Sequence, residues 1–275
     1  MIPIGIVTRD RVAYLDVTLR SLSATDVPPD TTVTIYDDHS VEDPTRRYYR
    51  SNEVVAVATH WPSSPLWCDQ GFGIISDDYV RPVGIAGLVR VRQLGTNKPL
   101  GVVNASCRAI CHLFETNPDS PGIILLQDDV LFKADWYTRL TGTVENSQLF
   151  SRLPVGLMAG LKINYRVKDD DRELPAIQSG ITAQCLYISR AAFTALPHYF
   201  QKHHRISKKF DDTLRRAIIG TGLWAGCIYP FVCQHFGIQS LVRPDRKWMQ
   251  GRKGRIGFYV HPPYALAAKV SCFKR

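Results

Sequence analysis

The chain has 275 residues, of which 45% are hydrophobic and 21% charged, which places it in the ordinary globular range with apolar material for one large core. No apolar run approaches the roughly 20 residues that a membrane helix needs, and no apolar segment follows a basic start as in a secretory leader, so a cytoplasmic protein is expected. The net charge of +9 is concentrated beyond Ser240, where nine basic residues, Arg243 to Arg275, face Asp245 alone; such an end can grip a diphosphate, an acidic glycan, an anionic membrane or a nucleic acid, or simply be a solvated tail.

In chain order, Ile2 to Thr8 is a short β-branched run and predicts a first strand. Val12, Leu15, Leu19 and Leu22 follow at helical spacing, and Thr32 to Tyr36 predicts a second strand that stops at Asp37-Asp38-His39-Ser40. Strand, helix, strand and acidic loop are the start of a nucleotide-binding α/β sheet. Trp61 to Pro82 is rich in Pro, Gly, Ser and aromatic residues without a sustained period and is expected to be an irregular insertion. Gly87 to Leu94 predicts a strand and Gly101 to Glu115 a helix. Gly122 to Leu126 is a continuous apolar run of the kind a buried central strand shows, ending at Gln127-Asp128-Asp129. Further strands are expected over Val155 to Ile163 and Ala183 to Ser189. Helices are expected from Arg190 and over Asp211 to Ile219, and the apolar segment Trp224 to His235 leads into the basic tail. The seven cysteines are dispersed and mostly in apolar company, as reduced core thiols are.

Two acidic pairs stand at the ends of predicted strands, where open α/β sheets bind ligands. Asp37 and Asp38 can accept hydrogen bonds from a ribose or a base, or close a turn. Asp128 and Asp129 are awkward neighbours after a fully apolar strand unless a cation or donors compensate them. Because side chains alternate along a strand, one carboxylate is expected to reach a divalent ion and the other to be held by donors; hard oxygen ligands favour Mn²⁺ or Mg²⁺.

The order of these elements resembles the GT-A glycosyltransferases, whose metal motif is an acidic cluster after a central strand, here Gln127-Asp128-Asp129. The opening Ile4-Gly5-Ile6-Val7-Thr8-Arg9 with Asp37-Asp38-His39-Ser40 is similar to the nucleotide-binding start of that family, and Asn97 to Asn104 to its helix-opening segment near the donor. Gly180 to Ser189 is similar to its acceptor-side strand. Phe210-Asp211-Asp212-Thr213-Leu214-Arg215 resembles a segment of N-acetylglucosaminyltransferase I that supplies the catalytic base, and Pro230 to Ser240 resembles the late histidine motif. Gln127 departs from the pattern, standing where an acidic residue is common, and neither the insertion nor the basic tail has a counterpart.

The resemblance implies an α/β GT-A fold: a mixed, mostly parallel sheet flanked by helices, with a C-terminal acceptor-side lobe. It implies a single domain over 1–275, with a nucleotide-sugar half at about 1–130, an acceptor half at about 131–240 and a basic extension at about 241–275. The implied donor-binding residues are Thr8, Arg9, Asp37, Asp38, Asn97, Asn104 and Asp128. Asp129 and His235 would hold Mn²⁺ or Mg²⁺, and Asp211 or Asp212 would be the base of an inverting transfer. The donor would be a nucleotide sugar, with UDP-sugars favoured. The acceptor would be a glycan, or a nucleic acid with a hydroxylated base, since Lys247-Trp248 and Arg252-Lys253-Gly254-Arg255 with Phe258 and Tyr259 interleave charge and aromatics. A nucleotidyltransferase and a non-catalytic nucleic-acid-binding module on a similar fold are the competing classes. Each residue also has a plainer reading: an Asp opening a helix caps it, and a histidine in an apolar segment can be part of the core.

Overall fold

A computed structural model describes residues 1–41, 55–57, 74–80, 89–94, 99–146, 155–158, 183–194, 210–220, 225–227 and 232–235. The strands are β1 (Ile4–Thr8), β2 (Val33–Asp37), β3 (Val55–Val57), β4 (Ile74–Val80), β5 (Val89–Leu94), β6 (Gly122–Gln127), β7 (Val130–Phe132), β8 (Val155–Met158), β9 (Cys185–Ser189), β10 (Ala225–Cys227) and β11 (Cys233–His235). The helices are α1 (Val12–Ser23), α2 (Val102–Thr116), α3 (Trp136–Asn146) and α4 (Phe210–Gly220).

Nine strands form one sheet in the order β10-β8-β9-β6-β1-β2-β5-β4-β3. Its centre, β6-β1-β2-β5, is parallel, whereas β9 on one side and β4 and β3 on the other run antiparallel to their neighbours. The register pairs Thr8 with Asp37 and Val7 with Gln127, so the C-terminal ends of β1, β2 and β6 meet at one edge of the sheet. β7 and β11 form a separate antiparallel pair.

Strand alternation divides the core between the two faces of the sheet. Ile4, Ile6, Val33, Ile35, Ile124 and Leu126 join Leu15, Leu19 and Leu22 of α1 and Trp136, Tyr137 and Leu140 of α3. Tyr36, Leu94, Ile123 and Leu125 join Ile110, Leu113 and Phe114 of α2 and Phe210, Leu214 and Ala217 of α4. β6 is therefore covered on both sides, which explains its unbroken apolar run. Gly5 allows the close approach of α2, since a Cβ there would stand 2.7 Å from Leu113 Cδ1 and 3.0 Å from Tyr36 Cε2. Beside it the Tyr36 hydroxyl bonds His112 Nδ1 at 2.6 Å, giving two buried polar groups a partner. Cys107, Cys111, Cys185 and Cys233 are buried in the core, as expected of core thiols.

Within the segment expected to be irregular, residues 74–80 form β4; the rest of 61–82 lies outside the described residues. β4 is set by its backbone ladder with β5, and its polar centre Ser76-Asp77-Asp78 conceals any apolar period. β3 and β7, of three residues each, are too short to show a period, and α3 has no counterpart among the expected elements. Asn97 and the basic tail lie outside the described residues.

Candidate functional site

Where β1, β2 and β6 end, three loops are tied together by side chains. The loops after β1 and β2 clasp each other: Asp38 N–H donates to the Thr8 carbonyl at 2.9 Å, Asp10 N–H to Ser40 Oγ at 2.8 Å and Val41 N–H to Asp10 Oδ1 at 2.7 Å. Asp37 Oδ1 accepts the Ser40 N–H at 2.8 Å, closing the turn. Asp10 (φ 49°) and His39 (φ 58°) are both left-handed, a conformation that costs an L-residue roughly 1–2 kcal/mol and is held here by these cross-bonds.

Asp38 reaches the start of α2. Its Oδ1 accepts the Leu100 N–H at 2.6 Å and its Oδ2 the Gly101 N–H at 2.9 Å, so the carboxylate meets the positive end of the helix. Burial pushes the Asp38 carboxyl up, against the pull of those two N–H groups and of Arg9. Gly101, at φ 81° with nothing within 4 Å of a built Cβ, supplies the backbone turn that only glycine adopts readily. Asn104 is exposed one turn on and donates from Nδ2 to the Leu100 carbonyl at 3.2 Å.

The acidic pair after β6 is bonded from the end of β1 and from α1 and the residue before it. Asp128 and Asp129 are 2% and 3% exposed, yet they face one cation. Arg11 Nη1 donates to Asp128 Oδ1 at 2.8 Å and Nη2 to Asp129 Oδ2 at 2.6 Å, while Thr8 Oγ1 donates to Asp128 Oδ2 at 2.7 Å. Both carboxylates turn to the same guanidinium because the chain bends between β6 and β7, so strand alternation does not separate them. The bend is fixed by α1: Thr18 Oγ1 donates to the Asp128 carbonyl at 2.8 Å and accepts the Val130 N–H at 3.1 Å, and Ser21 Oγ accepts the Phe132 N–H at 2.9 Å. One edge of β7 is thus satisfied by helix hydroxyls and the other by β11.

Burial works against the charge of Arg11, but the two carboxylates and the Asp129 hydrogen bond outweigh it and raise its pKa. Burial pushes the Asp128 carboxyl up to about 7, with Arg11 pulling it down, Asp129 pushing it up and the Thr8 hydroxyl pulling it down. The two directions are compatible. One guanidinium offsets one of two buried carboxylates, and the second negative charge is relieved by a proton or by another cation.

Thr8, Asp37, Asp38, Asp128 and Asp129 are therefore brought to one edge, with Arg9 in the same loop and half-exposed. His235 pairs in register with Val130, one residue beyond Asp129; its backbone is described and its side chain is not. Asp211 and Asp212 lie in the first turn of α4, which packs on the α2 side of the sheet. Among the described residues no group of three or more metal-ligating side chains is assembled. Arg11 and Thr18 were not among the expected site residues. Arg11 carried a signal: it precedes α1, where a cation opposes the helix dipole and makes no capping bond, so another partner was required.

The fold is that of the GT-A glycosyltransferases, a mixed sheet with a parallel centre between helices. The chain is similar to the Staphylococcus aureus TarS fragment 1–349 in complex with UDP-GlcNAc, at 14% identity and a TM-score of 0.50, over 87% of this chain and 60% of that one. It is also similar to the mannosyltransferase PcManGT from Pyrobaculum calidifontis in complex with GDP-Man and Mn²⁺ (12% identity, TM-score 0.49, 85% and 56% of the two chains). A third similarity is to galactosyltransferase LgtC with donor and acceptor sugar analogues (13%, 0.47, 98% and 96%). The chain spans less than two thirds of the TarS chains it matches. No family model and no curated protein matches the sequence.

Proposed function

We propose that the protein is an inverting glycosyltransferase that moves a sugar from a nucleoside-diphosphate sugar to an acceptor hydroxyl. The observation that carries this reading is the buried Asp128–Asp129 pair at the C-terminal edge of the parallel strands of a GT-A fold. Carboxylates are not buried in adjacent positions without a cation to meet, and this edge is where an α/β sheet receives a nucleotide. The UDP-GlcNAc complex of the TarS fragment supports a UDP-sugar as the donor.

The donor set suits a divalent ion. Asp129 offers carboxylate oxygen, His235 is one register position away across the β7–β11 pair, and the acidic pair already holds a cationic group at 2.6 and 2.8 Å. Oxygen with imidazole favours Mn²⁺ over Mg²⁺. Asp129 and His235 would hold the ion, which when bound supplies charge neutralisation for the departing diphosphate. Asp128, fixed by Thr8 and Arg11, shapes the adjoining wall, and Thr8, Arg9, Asp37, Asp38, Asn97 and Asn104 are the proposed donor-side residues. Asp211 or Asp212 takes the proton of the acceptor hydroxyl as its oxygen bonds the anomeric carbon and the bond from that carbon to the diphosphate breaks. One such displacement inverts the centre. The acceptor is a glycan or glycoconjugate, or a hydroxylated base in DNA, for which the basic residues beyond Ser240 supply phosphate contacts.

The test is release of nucleoside diphosphate from a panel of nucleotide sugars, with Mn²⁺ or with EDTA, by the wild type and Asp129→Ala. Metal-dependent release from one donor, lost in the variant, is expected. No release and no donor binding, with salt-sensitive binding to DNA, would favour the non-catalytic module instead; release of pyrophosphate from a nucleoside triphosphate would point to nucleotidyl transfer.

A further inference from the structure

The group that holds the acidic pair belongs to the protein itself. Arg11 spans both carboxylates with separate nitrogens, at 2.8 Å to Asp128 and 2.6 Å to Asp129, and its guanidinium lies 4.2 Å from the centre of the Tyr14 ring. It is only 13% exposed, so it is a fixed part of the edge rather than a passing surface contact. Asp128 has a second donor in Thr8 Oγ1, whereas Asp129 Oδ2 is given to Arg11. Asp128 therefore keeps the Thr8 hydroxyl if Arg11 leaves, and a cation arriving at Asp129 takes the place of the guanidinium there.

A divalent ion on Asp129 would stand against the guanidinium with the same sign of charge, in surroundings from which water is largely removed, where repulsion is strong. The two cations therefore compete for Asp129. We propose that Arg11 is an exchangeable counter-ion: it holds Asp128 and Asp129 in place while no divalent ion is bound, and it gives up Asp129 when one arrives. This rests on the reading of Asp129 as a metal ligand. Pre-assembly keeps two buried carboxylates from repelling each other apart, and the exchange lowers the affinity for metal alone. A guanidinium released from Asp129 is also left in want of an anion, and a diphosphate is one.

The experiment is Mn²⁺ binding, followed by the loss of its free electron-spin signal, to the full chain and to Arg11→Met, Arg11→Lys and Asp129→Asn without nucleotide. Arg11→Met is expected to bind about 10- to 100-fold more tightly than the wild type, the factor that a charge-assisted hydrogen bond represents. Arg11→Lys, which keeps the charge and loses the fork, should lie between them, and Asp129→Asn should not bind. Equal or weaker binding by a folded Arg11→Met protein, or no binding by either it or the wild type, overturns the proposal. Should Arg11→Met fail to fold, ¹⁵N-arginine spectra of the wild type decide: adding Mg²⁺ should move the Arg11 signals along the binding curve. Mg²⁺ bound at Asp129 with those signals unmoved overturns it too. Metal-dependent turnover with unchanged Mn²⁺ affinity in Arg11→Met would sink the exchange and leave the transferase reading standing. Tighter Mn²⁺ binding without turnover on any donor would do the reverse.

Discussion

Replacing Thr18 by Val tests whether hydroxyls of α1 hold the acidic bend in place. The side chain is fully buried, and its one hydroxyl serves two main-chain groups, the Asp128 carbonyl at 2.8 Å and the Val130 N–H at 3.1 Å. Valine keeps the shape and removes both bonds. Each buried polar group left without a partner costs about 1–3 kcal/mol, so Thr18→Val should destabilise the protein by about 2–6 kcal/mol, a large share of the roughly 5–15 kcal/mol typical of a domain. Thr18→Ser keeps the hydroxyl and loses one methyl group, at about 1 kcal/mol. Packing alone would give the opposite order, because valine fills the site better than serine. Urea unfolding followed by fluorescence of buried Trp136 gives the global ranking. Amide exchange at Val130 gives the local one, with protection falling about tenfold for each 1.4 kcal/mol. A Thr18→Val protein within about 0.5 kcal/mol of the wild type, or one more stable than Thr18→Ser, would refute this account of the bend.

Three further outcomes follow from the same structure. In metal-free buffer, burial of Asp128 raises its carboxyl to about 7, so the folded state holds a proton that the unfolded state releases near its ordinary 3.8. That stabilisation is full below the unfolded pKa and is lost as pH rises through about 7, so between pH 5 and 8 the wild type should lose about 2–3 kcal/mol relative to Asp128→Asn; equal pH slopes in urea unfolding would refute it. Asp26 accepts the N–H groups of Tyr137 at 3.0 Å and Thr138 at 2.8 Å and so caps α3 from a distant part of the chain; Asp26→Ala should cost about 1–2 kcal/mol, and an unchanged unfolding midpoint would count against the cap. Gly5→Ala drives a methyl group against Leu113 and Tyr36 and should cost about 1–3 kcal/mol while disturbing the Tyr36–His112 bond, read as a shift of the His112 ring signals.

Local pattern determined much of this protein. The β-branched run at residues 4–8 and the unbroken apolar stretch 122–126 mark strands covered on both faces, and the helical spacing of Leu15, Leu19 and Leu22 marks a helix with one buried stripe, since burial selects side chains with the period of the backbone. The acidic pairs at the strand ends were legible for the same reason: a carboxylate directly after a buried strand stands out against its neighbours. Composition hid β4, because a strand near the sheet margin draws its hydrogen bonds from β5 whatever its side chains are. The partners of the acidic pair were decided by tertiary structure alone. Arg11 and Asp128 are 117 positions apart, and Thr18 and Asp128 are 110 apart. No periodicity spans such distances. Only the parallel pairing of β1 with β6, which stacks α1 against the bend after β6, brings a guanidinium and a hydroxyl to two carboxylates that the sequence shows only as neighbours in want of a cation.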